Sequence, residues 1–393
     1  MLDRSHFEAL DEADPLTFLA ARFSLPEGLV YLDGNSLGPL PVHVPDVLED
    51  LVLRQWGRDL ITSWDGNGWW GLAERVGDKI APLIGADPGS VIAGDTTTVA
   101  VYKAVHAAAD MRLHRSTILT DSGNFPTDIY TMGAIASQTD RRLVVVESDQ
   151  VLSELDETVG VVCLTHVDYR SGRRHDMAGV TEAAHEVGAV VVWDLSHSVG
   201  AMDLELGDAD MAVGCGYKYL NGGPGAPAFA YVRPDLWDHF VNPLAGWWGH
   251  ADPFAMRADF EPAPGRRRAL VGTQPILSMA ALDSALDSFA GVDTALLRAK
   301  SELLTTNFID LVDEMLPEFE VVTPRAVSAR GSQVSLAHDR APAIMSALID
   351  RGVIGDVRPP NLLRFGFGPA FQHHVDVWDA VHELRRVMDE DVM

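Results

Sequence analysis

The feature that most constrains this chain is a succession of short apolar runs through its middle, separated by helical patterns. The runs lie at residues 91–93, 116–120, 143–146, 160–164, 189–193, 211–213 and 226–232. Several are continuous Val/Ile/Leu stretches rather than alternations. A strand with one wet face alternates, whereas a strand covered on both faces does not. Helical patterns fall between the runs at 97–111, with Asp95 or Thr96 as the cap, and at 177–187, closed by Gly188. This βαβ rhythm predicts an α/β chain with a mostly parallel central sheet and helices on both faces.

After residue 232 the character changes. Residues 242–268 are rich in Pro, Gly and Trp and read as an extended loop. Helical stretches follow at 276–290 and 296–314. Strands are predicted at 320–323, 333–336 and 362–367, with a helix at 343–351, which makes a smaller α+β unit. The first fifty residues show helices at 15–23 and 44–57 and a loop at 33–41, and they are expected to pack beside that unit. The division predicted is a large domain over 58–290 and a small domain built from 1–57 and 291–393. His373-His374 reads as a solvated loop pair.

Composition excludes several partners. With 30 Lys+Arg against 57 Asp+Glu the net charge is −27, so the surface suits neither nucleic acid nor an anionic membrane. One small anion in a local basic pocket remains compatible. No apolar run approaches the ~20 residues that a membrane span needs. The first residues lack a basic n-region and an apolar h-region. The two cysteines, Cys163 and Cys215, sit in apolar stretches, form no disulfide framework and read as buried small residues. The compartment expected is a reducing cytoplasm.

The chemistry concentrates between 189 and 232. One apolar run ends in Asp194-Leu195-Ser196-His197. In a parallel sheet, ligands bind beyond the carboxyl ends of strands, so Asp194 is placed to meet a cationic ligand atom and His197 to stack on or bond to the same ligand. The bland alternative is a capping Asp beside a solvated His. The next run leads into Tyr217-Lys218-Tyr219-Leu220-Asn221-Gly222-Gly223. Desolvation favours the neutral amine of a lysine and with it Schiff-base formation. A lysine at a strand end is often only a surface lysine. An aspartate at the end of one strand and a lysine at the end of the next is more telling, because pyridoxal phosphate needs an amine for its aldehyde and a carboxylate for its ring nitrogen. It also needs a phosphate site. Gly94-Asp95-Thr96-Thr97-Thr98 opens a helix, where N–H groups and hydroxyls favour an anion. Phe125, in Asn124-Phe125-Pro126-Thr127-Asp128, is available to stack on the ring. Asp194-x-x-His197 is half a metal site without a second half, so no metal is expected.

Taken together these residues resemble kynureninase of the bacterial type, a fold-type-I pyridoxal-phosphate enzyme of the class V aminotransferase group. Further matching motifs are Tyr31-Leu32-Asp33-Gly34-Asn35-Ser36-Leu37-Gly38, Gly246-Trp247-Trp248-Gly249-His250 and Arg358-Pro359-Pro360-Asn361-Leu362-Leu363-Arg364. They follow the family's order and span nearly the whole chain. The Asp/Lys pair marks only the superfamily, and these longer motifs are more specific.

The resemblance implies the aspartate aminotransferase fold and pyridoxal 5'-phosphate linked to Lys218. Asp194 then pairs with the pyridine nitrogen, with His197, Asp128 and Phe125 around the ring. Thr97, Thr98 and Tyr217 contact the phosphate, and Thr165 holds a further cofactor position. Trp247 and Thr273 reach the site from the partner of a homodimer with shared active sites. Arg364 takes the substrate α-carboxylate, and Asn35, Ser36, Trp64 and His250 belong to the substrate site. The implied reaction is hydrolysis of L-kynurenine to anthranilate and L-alanine, with Tyr217 as a proton donor. Animal kynureninases carry a His near the position of Trp64 and an Asn at that of Thr273. Those two residues here imply that 3-hydroxykynurenine is the poorer substrate. The alternative within the fold is a cysteine-desulfurase-like lyase, which needs a reactive cysteine on a mobile loop.

Overall fold

The computed structural model describes residues 3–390. Its main sheet has seven strands: β1 (Val91–Ala93), β2 (Thr117–Asp121), β3 (Arg142–Val146), β4 (Val159–Thr165), β5 (Val190–Asp194), β6 (Met211–Cys215) and β7 (Ala228–Val232). The spatial order is β1-β7-β6-β5-β4-β2-β3. Neighbours from β3 to β6 run parallel, and β7 is antiparallel to both β6 and β1. Each predicted apolar run is one of these strands, displaced by no more than two residues at either end.

Burial explains the unbroken apolar runs. β2, β4, β5, β6 and β7 are buried along their whole length, while β3, at an edge, exposes Arg142 and Val145. β1 is also an edge strand, yet it is buried because the helix Leu72–Ile80 closes over it. That approach needs Gly77, since a Cβ there would sit 2.1 Å from the Val91 carbonyl oxygen. Thr96, rather than Asp95, caps the helix Thr97–Asp110, its Oγ1 accepting from the Val99 N–H at 3.4 Å. Asp95 instead makes the preceding turn at φ 57°.

A second sheet, antiparallel throughout, comprises β8 (Glu320–Val321), β9 (Gln333–Ala337), β10 (Asp356–Arg358) and β11 (Leu362–Gly366) in the order β8-β9-β11-β10. With the helices Thr294–Met315, Ala341–Asp350 and His374–Asp389 it encloses a separate apolar core around Phe308, Leu336, Phe365 and Phe367. Among the described residues no helix is long and apolar enough to cross a membrane.

Three expectations are corrected. The first fifty residues do not all join the second unit. Phe7 and Leu32 enter its core and Val30–Tyr31 pairs with Val353–Ile354, but Leu16, Leu19 and Phe23 enter the main core. The helix Val44–Asp50 packs on Ile276–Leu286, because its apolar residues Val44 and Leu48 meet Ala281 and Ala285. The helix expected over 44–57 is α-helical only to Asp50 and π-helical from Leu51 to Asp59. Apolar spacing selects a helix without selecting its hydrogen-bond register. His373-His374 is not a solvated loop. His374 is buried and opens a helix whose first N–H groups are taken by carboxylates, Asp376 accepting from the His373 N–H at 2.9 Å and Asp11 from those of His374 and Val375 at 2.6 and 3.0 Å.

Candidate active site

Beyond the carboxyl ends of β1, β2, β5 and β6 lies a cavity of about 350 Å³, within the size range of small-ligand sites. It brings together Asn35, Ser36, Thr97, Thr98, Phe125, Asp128, Asp194, His197, Tyr217, Lys218 and Arg364, all foreseen from the sequence.

The floor is built by strand ends. Asp194 is the last residue of β5, and its Oδ1 accepts from the Ser196 backbone N–H at 2.9 Å and the Ser196 hydroxyl at 2.6 Å. Asp128, on the helix Pro126–Gln138, shares the buried floor. Burial pushes the Asp194 carboxyl up, opposed by Lys218 and Ser196. Burial, and next the Asp194 charge, push Asp128 well above the ordinary carboxylate value. Lys218 follows β6, and its Nζ lies 3.1 Å from His197 Nε2 and 5.9 Å from the centres of the Phe125 and Tyr217 rings. Burial, reinforced by Lys218, holds His197 well below the usual histidine value, so it is neutral at pH 7 and Nε2 accepts from Lys218. Burial likewise pushes the Tyr217 phenol up, so it keeps its proton.

The opposite wall comes from the second sheet. Asp356 and Arg364 face each other across the β10–β11 register. Arg364 is fully buried, with Nε donating to Asp356 Oδ1 at 2.8 Å, Nη1 to the Tyr169 carbonyl at 2.8 Å and Nη2 to Ser36 Oγ at 2.7 Å. Asp356 also pairs with Arg358 at 2.7 Å. Asp33, 4.0 Å from Arg364, is pushed up to about 6 by burial and by the Asp356 charge. Asn35 is buried here, its amide placed between Asp33 and Arg364. The Asn35–Gly38 motif reaches the lysine loop because Gly38 has no side chain: its N–H donates to the Tyr217 carbonyl at 2.8 Å, and a Cβ would lie 2.4 Å from the Lys218 oxygen.

Other expected residues lie elsewhere in the chain. Thr165, opposite Asp194 in the β4–β5 register, turns its hydroxyl to the Val167 carbonyl at 3.3 Å and does not line the cavity. Trp64 packs on Trp69 and Trp248, with ring centres 5.4 and 5.1 Å away, and lines an apolar groove with the exposed Thr273. Trp247, 41 % exposed, lines another cleft with His250, whose ring nitrogens face the Asp259 carbonyl and the Asp252 N–H. Sequence reasoning missed Thr127, Ser196 and Arg358, which line the cavity. All three stand inside motifs already singled out, so adjacency to Asp128, Asp194 and Arg364 was the available signal. Among the described residues no three of His, Cys, Asp and Glu converge to hold a metal ion.

The polar valences fit a pyridoxal phosphate. Asp128 Oδ2 and His197 Nδ1 are buried without partners, and two adjacent buried carboxyls call for a cationic donor. A protonated pyridine nitrogen is such a donor, the lysine amine is available to an aldehyde, and the helix start at Thr97 suits a phosphate.

Comparison with known proteins agrees with this chemistry. The family model described as kynureninase C-terminal domain matches residues 297–384. A kynureninase from Deinococcus radiodurans is 48% identical over 400 residues, covering 99% of this chain and 97% of the relative. Among solved structures, the cysteine desulfurase CsdA from Escherichia coli superposes with a TM-score of 0.81 at 18% identity, covering 95% of this chain and 98% of that one. A C-DES variant with glycine covalently linked to its PLP cofactor superposes with a TM-score of 0.76 at 16% identity, covering 98% and 99%. At such identities the two structures speak for the fold, that of fold-type-I PLP enzymes.

Proposed function

The chain belongs to the kynureninase family, and from that premise we infer that it hydrolyses L-kynurenine to anthranilate and L-alanine with pyridoxal phosphate. The observation that carries the reading is Lys218 Nζ beside neutral His197 in a cavity floored by the buried carboxyls of Asp194 and Asp128.

When bound, the cofactor supplies an electron sink for negative charge at the substrate α-carbon. Lys218 Nζ is its covalent anchor and the base that takes and returns the α-proton. Asp194, oriented by Ser196, would pair with the cofactor's protonated ring nitrogen, with Asp128 beside it. Phe125 and His197 bound the ring, and the Thr97 and Thr98 hydroxyls with the helix N-terminus hold the phosphate. Water adds to the substrate γ-carbonyl, the bond between the β- and γ-carbons breaks with the γ-carbon leaving in the anthranilate carboxyl, and the Tyr217 phenol, which stays protonated, would donate to the β-carbon that remains in alanine. Arg364, flanked by Ser36 and Asn35, supplies the planar fork for a substrate α-carboxylate, which takes it over from Asp356. Residues 58–290 serve as the cofactor-holding domain, and the second sheet with its helices supplies the substrate wall.

Trp247 and Thr273 are exposed and do not line their own chain's cavity, which supports a homodimer in which they complete the partner's site. Two apolar grooves that meet at Leu277 and Ser278, lined by exposed Leu40, Val52 and Trp56, supply the face. Thr165 then steadies the Asp194 strand end rather than touching the cofactor. The two cysteines are free and buried, which suits the cytoplasm and leaves no nucleophile for desulfurase chemistry. Anthranilate fluorescence during incubation with kynurenine tests the activity, and sulfide release from cysteine without anthranilate would overturn it.

A further inference from the structure

Lys103 is a buried lysine that the reaction does not use. It lies on the helix Thr97–Asp110, inside the fold, with its side chain 6% exposed. Its Nζ donates to Asp95 Oδ2 at 2.6 Å and to the Ala269 carbonyl at 2.7 Å, and it does not line the cavity. Asp95 stands two residues before Thr97, at the mouth of the helix start. The main chain fixes it there: the turn has φ 57°, the Asp95 carbonyl accepts from the Ala228 N–H at 3.1 Å, and the Gly94 N–H donates to the Ala228 carbonyl at 2.8 Å.

This arrangement is a poor choice for stability alone, because burying an ammonium seldom repays its desolvation even when a partly exposed carboxylate pairs with it. Burial works against the Lys103 charge, and Asp95 works for it. It is also a poor choice for an anion site, since a carboxylate beside a helix N-terminus repels an incoming phosphate dianion. The two difficulties cancel when the ammonium neutralises the carboxylate.

We propose that Lys103 is a positioning residue for the cofactor phosphate: by neutralising Asp95 it keeps the Asp95–Thr98 turn both fixed and receptive to a dianion. The inference rests on the reading of Thr97 and Thr98 as phosphate contacts.

The test is titration of the resolved enzyme with pyridoxal phosphate and, separately, with pyridoxal, which lacks the phosphate. Lys103→Met should weaken pyridoxal phosphate by at least about tenfold and move pyridoxal by less than about threefold, because only the phosphate meets the exposed Asp95 charge. Lys103→Met with Asp95→Asn should return pyridoxal phosphate affinity to within about threefold of the parent, since no charge remains to repel it. Unchanged pyridoxal phosphate binding in Lys103→Met, equal weakening of both ligands, or no recovery in the double variant would overturn the proposal. If Lys103→Met does not fold, the double variant carries the test, and a loss of about tenfold or more there counts against neutralisation. A Thr97→Ala and Thr98→Ala protein that keeps full pyridoxal phosphate affinity would refute the phosphate reading itself, a separate failure.

Discussion

The two walls of the cavity are built on opposite logics. On the main sheet, Asp128 Oδ2 and His197 Nδ1 are buried with no partner, beside the buried carboxyl of Asp194. On the second sheet, Arg364 already donates to Asp356, Ser36 and the Tyr169 carbonyl. The first wall is incomplete without a ligand and gains bonds when one arrives. The second is nearly saturated, so a substrate carboxylate must exchange with an internal partner. Cofactor binding is therefore expected to be tight and dependent on a few residues, while substrate binding is tuned by an internal competition.

Breaking the incomplete wall has the largest effect. Asp194→Asn removes the carboxylate assigned to the ring nitrogen, and turnover should fall on the order of 10²–10³-fold, the range found when one preorganised electrostatic partner is lost. Steady-state kinetics at saturating cofactor checks this, and a loss under about threefold would move the ring-nitrogen role elsewhere.

Asp33 sharpens the comparison by pH. Its folded value is raised from 3.8 to about 6, so the folded state holds a proton that the unfolded state gives up. That contribution to stability is present below the unfolded value and is lost as pH rises through the folded one. Between pH 4 and 7 the parent should lose roughly 2–3 kcal/mol relative to Asp33→Asn. Urea unfolding of both proteins at the two pH values measures it, and parallel curves would place Asp33 in a wetter setting.

Arg364→Lys keeps the charge but loses the fork held by Asp356, which should cost about 2 kcal/mol in kcat/KM. An unchanged kcat/KM would remove Arg364 from the substrate site. The smallest effect concerns the residues outside both walls. We expect kcat/KM to favour kynurenine over 3-hydroxykynurenine by roughly tenfold, about 1.4 kcal/mol. Trp64→His with Thr273→Asn should narrow or reverse that ratio, and a parent that prefers the hydroxylated substrate would contradict it.

How much was legible in the sequence differs between the same two regions. The main sheet was readable because burial on both faces leaves continuous apolar runs, and Asp194 and Lys218 stand where those runs stop. The second wall was readable only through its resemblance motif, because nothing local announces that Asp356 will face Arg364 across a register set by the β10–β11 pairing. The π-helical turn at Leu51–Asp59 and the helix opening at His374 were missed for a related reason. One depends on hydrogen-bond register, the other on Asp11, more than 360 residues away in the chain. The positions of Trp64, Thr273, Trp247 and His250 were beyond the reach of both periodicity and a single chain's geometry.

The central claim is that Lys218 is the covalent anchor of the cofactor and the base of kynurenine hydrolysis. Borohydride reduction of the holoenzyme followed by peptide mapping tests it most directly. The pyridoxyl label is expected on the peptide carrying Lys218, and the reduced protein should release no anthranilate. Label on any other lysine, or full anthranilate production from Lys218→Ala, would contradict it.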